Sequence, residues 1–187
     1  VKLDELLREA DVFFSNRHPG HLEQVGLTAD EVAVGHRGLI HAQVLLHGAE
    51  GPWATRAGFD EVGACVSGIF ALGGTLEDPR QPPMLPIVDN IVGWFGTVGV
   101  LEAVHRRAVE GGSYRVRVSL TRVCLWLISL GIFNREFASV AAGSTAEHTA
   151  IPPELFTAKT PLGTYQGMTD QIEFSSLTQG FTTTVLH

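Results

Sequence analysis

This chain carries little charge, few thiols and none of the common nucleotide loops. Only 18% of its 187 residues are charged, against 44% hydrophobic, which is a thin polar coat for a solitary domain. Part of its surface is expected to be covered by something else. Thirteen Lys and Arg against twenty Asp and Glu give a net charge of −7, and no basic cluster offers a footing for nucleic acid or an anionic membrane. No uninterrupted apolar run reaches the roughly 18 to 20 residues of a membrane span, and no basic segment followed by an apolar stretch opens the chain. Cys65 and Cys124 stand in apolar, helix-like settings without a CxxC partner. They read as buried free thiols and point to a reducing, cytoplasmic setting. Without a GxGxxG or Walker loop, nucleotide binding by the usual phosphate cradles has no support. The histidines are scattered, and His36 and His41 read as ordinary residues rather than metal ligands.

What is present alternates helix and strand. VKLDELLREA opens as an amphipathic helix with Leu3, Leu6 and Leu7 on one face, and ADVFFS (10–15) follows as a short buried strand. Asn16, His18, Pro19 and Gly20 form a turn cluster, after which Thr28 and Glu31 have capping-box spacing for a helix over 29–35. GLIHAQVLLHG (38–48) is the next buried strand, and FDEVGACVSGIFALGG reads as a helix closed by Gly73-Gly74. YRVRVSL (114–120) alternates Val116 and Val118 with Arg115 and Arg117, a strand with one wet or partner-facing side. TRVCLWLISLGIF reads as a buried helix that completes the apolar core. The fold class expected is α/β, an open parallel sheet with flanking helices, its strands near 10–14, 39–46 and 115–119.

The stretch Pro82–Gly112 attracts most interest. A loop with four prolines between residues 75 and 88 delivers Asp89 to the start of a long helix with glycine at 93, 96 and 99. No charged residue lies within six positions before Asp89 or twelve after it. Such a carboxylate either caps a helix or does chemistry. At the far end, Arg106-Arg107 either complements the helix dipole or holds a phosphate. From Asn134 to His187 the chain turns to Thr, Ser, Gly and Pro with short apolar pieces, PELF (153–156) and QIEFSSL (171–177). We read 1–133 as the α/β core and 134–187 as an extended arm towards a missing domain or a partner subunit.

Three collinear stretches resemble the family III CoA-transferases, the CaiB/BaiF family. ADVFFSNRHPGHLEQVGLTADEV matches its strand and Asn-x-x-Pro-Gly turn; RGLIHAQVLLHGAEGPWATRAGFDEVGACVSGIFALGG matches its strand, glycine-proline loop and Gly-x-Asp pair. VDNIVGWFGTVGVLEAVHRR resembles the segment in which a catalytic aspartate opens a helix. The resemblance covers about residues 1–133 and implies part of the family's large domain.

It also implies an activity: transfer of CoA from an acyl-CoA thioester to a carboxylic acid acceptor through a covalent aspartyl intermediate. Asp89 would be the nucleophile, with glycines 93 and 96 allowing close approach to backbone or thioester. Asn16, Arg17, His18 and Gly20 would contact coenzyme A, a substrate rather than a resident cofactor. Departures matter. Phe59 stands where the family's racemases carry a catalytic histidine, which disfavours racemisation of an α-methylacyl-CoA. His18 precedes the turn proline where arginine is common, and Gly111-Gly112-Ser113-Tyr114 is irregular. The family's first strand would precede Val1 and its glycine-rich loop would follow His187, so the chain reads as the central section of a larger enzyme. The resemblance further implies an interlocked homodimer. The alternatives are another CoA-thioester enzyme of the family and an inactive fragment or assembly subunit.

Overall fold

A computed structural model describes residues 2–81, 87–134, 136–137 and 154–168. The chain divides into two compact units, Val1–Ile132 and Phe133–His187. The first is built around a three-stranded parallel sheet. Its strands are β1 (Val12–Ser15), β2 (Ile40–Leu45) and β3 (Tyr114–Ser119), in the order β1-β2-β3. Helices α1 (Lys2–Glu9), α2 (His21–Gln24) and α3 (Ala29–Gly35) link or flank the first strands; α4 (Asp60–Ser67), α5 (Ile69–Gly73), α6 (Ile87–Glu110) and α7 (Leu120–Ser129) complete the unit. The expected α/β class and all three strands are present.

The register explains why the core has two halves. Phe13 pairs with His41 and Phe14 with Ala42, so alternate residues address opposite faces. On one face Leu7, Val32 and Leu39 are buried with Phe13 and Leu27 against them. On the other, Val44 and Val118 pack with Leu46, Ala64, Val88, Ile91, Val92, Leu120, Val123 and Cys124. Each fully buried Val or Ile contributes about 1.5–3 kcal/mol. The capping box forms as its spacing predicts: Glu31 N–H donates to Thr28 Oγ1 at 3.3 Å and Thr28 N–H to Glu31 Oε2 at 3.0 Å.

Several expectations need correction. The helix predicted over 59–74 is two helices, broken where Gly68 adopts φ 90°, a left-handed conformation that ends α4. Helix α2, in the turn region after Gly20, was not foreseen. In α1 only Leu7 is buried, while Leu3 and Leu6 are exposed, so the helix packs along a narrower stripe than its leucines propose. Helix α7 buries Leu120, Val123 and Cys124 but leaves Leu125 and Trp126 exposed. Cys65 is exposed and only Cys124 is buried, because α4 turns Ala64, not Cys65, inward. Finally, α6 contains an 18-residue stretch of mean hydropathy 1.4, long and apolar enough by composition to cross a membrane. Counting uninterrupted apolar residues missed it because glycines and Thr97 punctuate the run. One side of α6 serves the core through Val88, Ile91, Val92 and Ala103.

In the second unit, β4 (Leu155–Thr160) and β5 (Gly163–Met168) pair as an antiparallel hairpin. The arm reading did not anticipate it, since this polar segment lacks a strong alternating pattern. QIEFSSL lies outside the described residues.

Candidate active site

The carboxyl ends of parallel strands are where open α/β sheets place ligands. A pocket of about 360 Å³ opens there, lined by residues from five chain segments. Asn16, Arg17, His18 and Pro19 follow β1; Val44, Leu45 and Leu46 end β2; Leu120 follows β3; Arg56 to Phe59 precede α4; and Asp89 comes from α6. The loop after β1 is pinned where Arg17 N–H donates to Ser15 Oγ at 3.2 Å. The end of β2 is held by the Leu46 carbonyl, which accepts from Ser119 Oγ and from Thr121 N–H, each at 3.0 Å. The next residue, His47, sits with Nδ1 2.8 Å from Thr121 Oγ1 and its ring 5.1 Å from that of Trp53. Arg56 lies over the other ring system in this wall, 5.2 Å from the Trp53 centroid, a cation–π contact.

Of the residues selected from sequence, Asn16, Arg17, His18 and Asp89 share this pocket. Gly20 lies outside its lining; with φ 83° it opens α2. Phe59, 75% exposed, stands at the pocket wall in the position the sequence comparison singled out. Arg106 and Arg107 are elsewhere and engaged, Arg106 with Glu102 and Arg107 with Asp11. The close approach expected at glycines 93 and 96 does not occur among described atoms: a Cβ at Gly93 would meet nothing within 4 Å, and one at Gly96 only Val118 Cγ2 at 3.9 Å. Gly99 is the tight position, 2.7 Å from Val116 Cγ1.

Two residues had been given no site role: Arg56, and Asp60, the aspartate of the Gly-x-Asp pair. Arg56 is the one Lys or Arg between Arg37 and Arg80, a signal that was available. Asp60 is 2% exposed, and its Oδ2 accepts the Asp89 N–H at 3.2 Å. The carboxylate that looked isolated in sequence therefore has acidic neighbours in space. Asp89 lies inside the first turn of α6, two residues after Ile87, rather than ahead of it as a cap would. Its carboxyl is held above the ordinary carboxylate range, first by lost hydration and then by the negative charges of Asp60 and Glu61. A carboxylate that stays exposed at a pocket also lined by two arginines, yet is more basic than usual, is equipped to attack an electrophile carrying anionic groups.

Comparison with known proteins places this chain in a family. Residues 2–172 match CoA-transferase family III, and the chain belongs to that family. It is 34% identical over 141 residues to the acetyl-coenzyme A transferase nodX of Hypoxylon pulicicidum, covering 71% of this chain and 24% of that protein. It is 32% identical over 143 residues to the (R)-2-hydroxy-4-methylpentanoate CoA-transferase of Clostridioides difficile, covering 73% and 35%. The fold matches a CaiB/BaiF family protein from Brucella suis, with TM-score 0.61 and 24% identity over 87% of this chain and 43% of that one. The chain thus spans about a quarter to a third of the length of these curated relatives.

Proposed function

We propose that the protein containing this chain transfers CoA from an acyl-CoA to a carboxylic acid, with Asp89 as the nucleophile. The observation that carries this reading is the Asp89 carboxylate at a pocket that also holds Arg17 and Arg56, in a chain of CoA-transferase family III. Arg17, Arg56 and His18 supply cationic or hydrogen-bonding groups for the phosphates of coenzyme A; Asn16 adds an amide. The substrate partners are an acyl-CoA and a carboxylic acid, and no resident cofactor is needed.

The chemistry balances without any redox partner. An Asp89 oxygen attacks the thioester carbonyl, the C–S bond breaks, and CoA leaves as thiolate from a mixed anhydride. That thiolate attacks the Asp89 carbonyl carbon and expels the donor acid, leaving an aspartyl-CoA thioester. The acceptor carboxylate attacks this thioester, CoA thiolate departs again, and a second mixed anhydride forms. Thiolate attack on the acceptor carbonyl then releases the new acyl-CoA and regenerates the Asp89 carboxylate. A carboxylate that has lost part of its hydration and is more basic than usual suits the first step, because hydration is what makes carboxylates weak nucleophiles. Phe59 cannot move a proton, so racemisation of the acyl group is not part of this reading. We further propose a homodimer acting in the cytoplasm.

The test uses the complete protein. Asp89→Ala is expected to lower CoA transfer by about a thousandfold or more, and incubation with acyl-CoA alone should yield a hydroxylamine-sensitive adduct on the Asp89 peptide by mass spectrometry. Near-normal transfer by the alanine variant would sink the assignment.

A further inference from the structure

We infer that Asp60 is a positioning residue that anchors the first turn of α6 and thereby aims the Asp89 side chain into the pocket. This rests on the reading of Asp89 as the nucleophile and adds a residue that acts through it.

The argument starts from a burial that is expensive. Asp60 is 2% exposed, and its Oδ1 has no hydrogen-bond partner among the described residues. A buried carboxylate with one oxygen unsatisfied costs several kcal/mol unless the fold gains from it. Two features offset that cost. Asp60 is the first residue of α4, where the unpaired amides of a helix start favour negative charge. Its Oδ2 also accepts the Asp89 N–H at 3.2 Å, so it satisfies one of the orphan donors of α6. The side chain of one helix start thus closes the start of another, 29 residues along the chain.

That geometry has a directional consequence. The Asp89 amide and the Asp89 side chain share one Cα, so fixing the amide restricts where the carboxylate points. The first turn of a helix following a loop would otherwise fray. The anchor is itself buried, at the start of the α4 helix whose Ala64 belongs to the core, so it offers the Asp89 amide a fixed acceptor. A misplacement of about 1 Å at a reacting group can cost about a hundredfold in rate.

Asp60 also presents charge. The groups of this region among the described residues are Asp60 and Glu61 from α4, Arg17 and His18 after β1, Arg56 before α4, and Cys124 of α7, whose thiol feels the Asp60 charge. The two acidic groups, after lost hydration, favour the protonated form of Asp89. Removing the Asp60 charge takes away one of those contributions.

The substitutions Asp60→Asn and Asp60→Ala separate anchoring from charge. An asparagine oxygen still accepts the Asp89 N–H; alanine cannot. In the complete protein, hydrogen exchange of the Asp89 amide is expected to speed up about tenfold or more in Asp60→Ala and to stay within about threefold of the parent in Asp60→Asn. Formation of the Asp89 adduct from acyl-CoA should fall about tenfold to a hundredfold in Asp60→Ala, with KM changed less than about threefold. In Asp60→Asn the acid limb of the rate profile should move to lower pH. Unchanged exchange at the Asp89 amide in a folded Asp60→Ala variant overturns the anchor. Should Asp60→Ala fail to fold, hydrogen exchange in the parent protein carries the test, and an Asp89 amide that exchanges there at the rate of an unprotected amide overturns the inference. The exchange measurement does not depend on catalysis. If Asp89→Ala keeps full activity while the exchange pattern holds, the nucleophile reading fails and the helix anchor stands.

Discussion

Arg107 reaches from the last turn of α6 to Asp11, just before β1, with Nη2 2.7 Å from Asp11 Oδ1, and donates from Nη1 to the Gly38 carbonyl at 2.9 Å. One guanidinium therefore joins the carboxyl end of the long helix to the entrances of β1 and β2. The Asp11 side chain is 76% exposed and that of Arg107 26%, so the ion pair itself is worth little. The bond to the carbonyl is the stronger contribution. Arg107→Ala is expected to lower stability by about 1–2 kcal/mol in chemical denaturation, and Asp11→Ala by about 0.5 kcal/mol or less. Neither should alter acyl-CoA affinity, because both lie at the opposite end of the strands from the Asp89 pocket. Weakened binding of acyl-CoA would restore the phosphate reading of this arginine.

Two glycines of α6 should respond oppositely to alanine. At Gly99 a Cβ would lie 2.7 Å from Val116 Cγ1, and overpacking of about 1–3 kcal/mol exceeds the helix-propensity gain of about 1 kcal/mol. At Gly93 the space is open, so the gain stands alone. Thermal unfolding should show Gly99→Ala below the parent and Gly93→Ala above it.

Asp89 supplies a pH signature. Its carboxyl is held above the ordinary range in the folded chain, so the folded state binds this proton more tightly than the unfolded state does. The associated stability is complete below about pH 4, the unfolded value, and is lost as pH rises through the folded value. Asp89→Asn is therefore expected to unfold at a higher temperature than the parent at pH 7, with the difference closing near pH 3. The raised direction means that lost hydration and the Asp60 and Glu61 charges outweigh the favourable field of the helix start. A lower Tm for the variant at pH 7 would contradict this balance.

Ser119 is 6% exposed and makes two bonds: its hydroxyl donates to the Leu46 carbonyl at 3.0 Å and accepts from Arg122 N–H at 3.4 Å as the N-cap of α7. Ser119→Ala removes both and should cost about 1–2 kcal/mol. The loosened end of β2 should also raise the KM for acyl-CoA, since Leu46 lines the pocket. Thr121→Val, which keeps its backbone bond to Leu46, should leave KM closer to the parent.

How much was legible follows the range of each interaction. Thr28 and Glu31 cap their own helix three residues apart, so spacing alone located α3. Apolar runs placed β1 and β2 because a sheet buried on both faces needs them, and the alternation of valine with arginine placed β3. The split at Gly68 was not legible, because glycine tolerates a helix interior as well as a left-handed break, and only packing chooses. Cys65 looked buried by composition and is exposed by the phase of α4.

The candidate site divides in the same way. Asp89 stands out in the sequence by its isolation, and the turn residues Asn16, Arg17 and His18 by their composition. Only the tertiary structure brings those segments to one pocket and adds Arg56 to it, because the parallel sheet aligns the ends of strands that are far apart in the chain. Asp60 is visible in the sequence only as the aspartate of the Gly-x-Asp pair, and its anchoring position is of that second kind. Its significance depends on its burial and on an amide 29 residues away, and local sequence encodes neither of these, since burial and long-range hydrogen bonding exist only once the chain has packed.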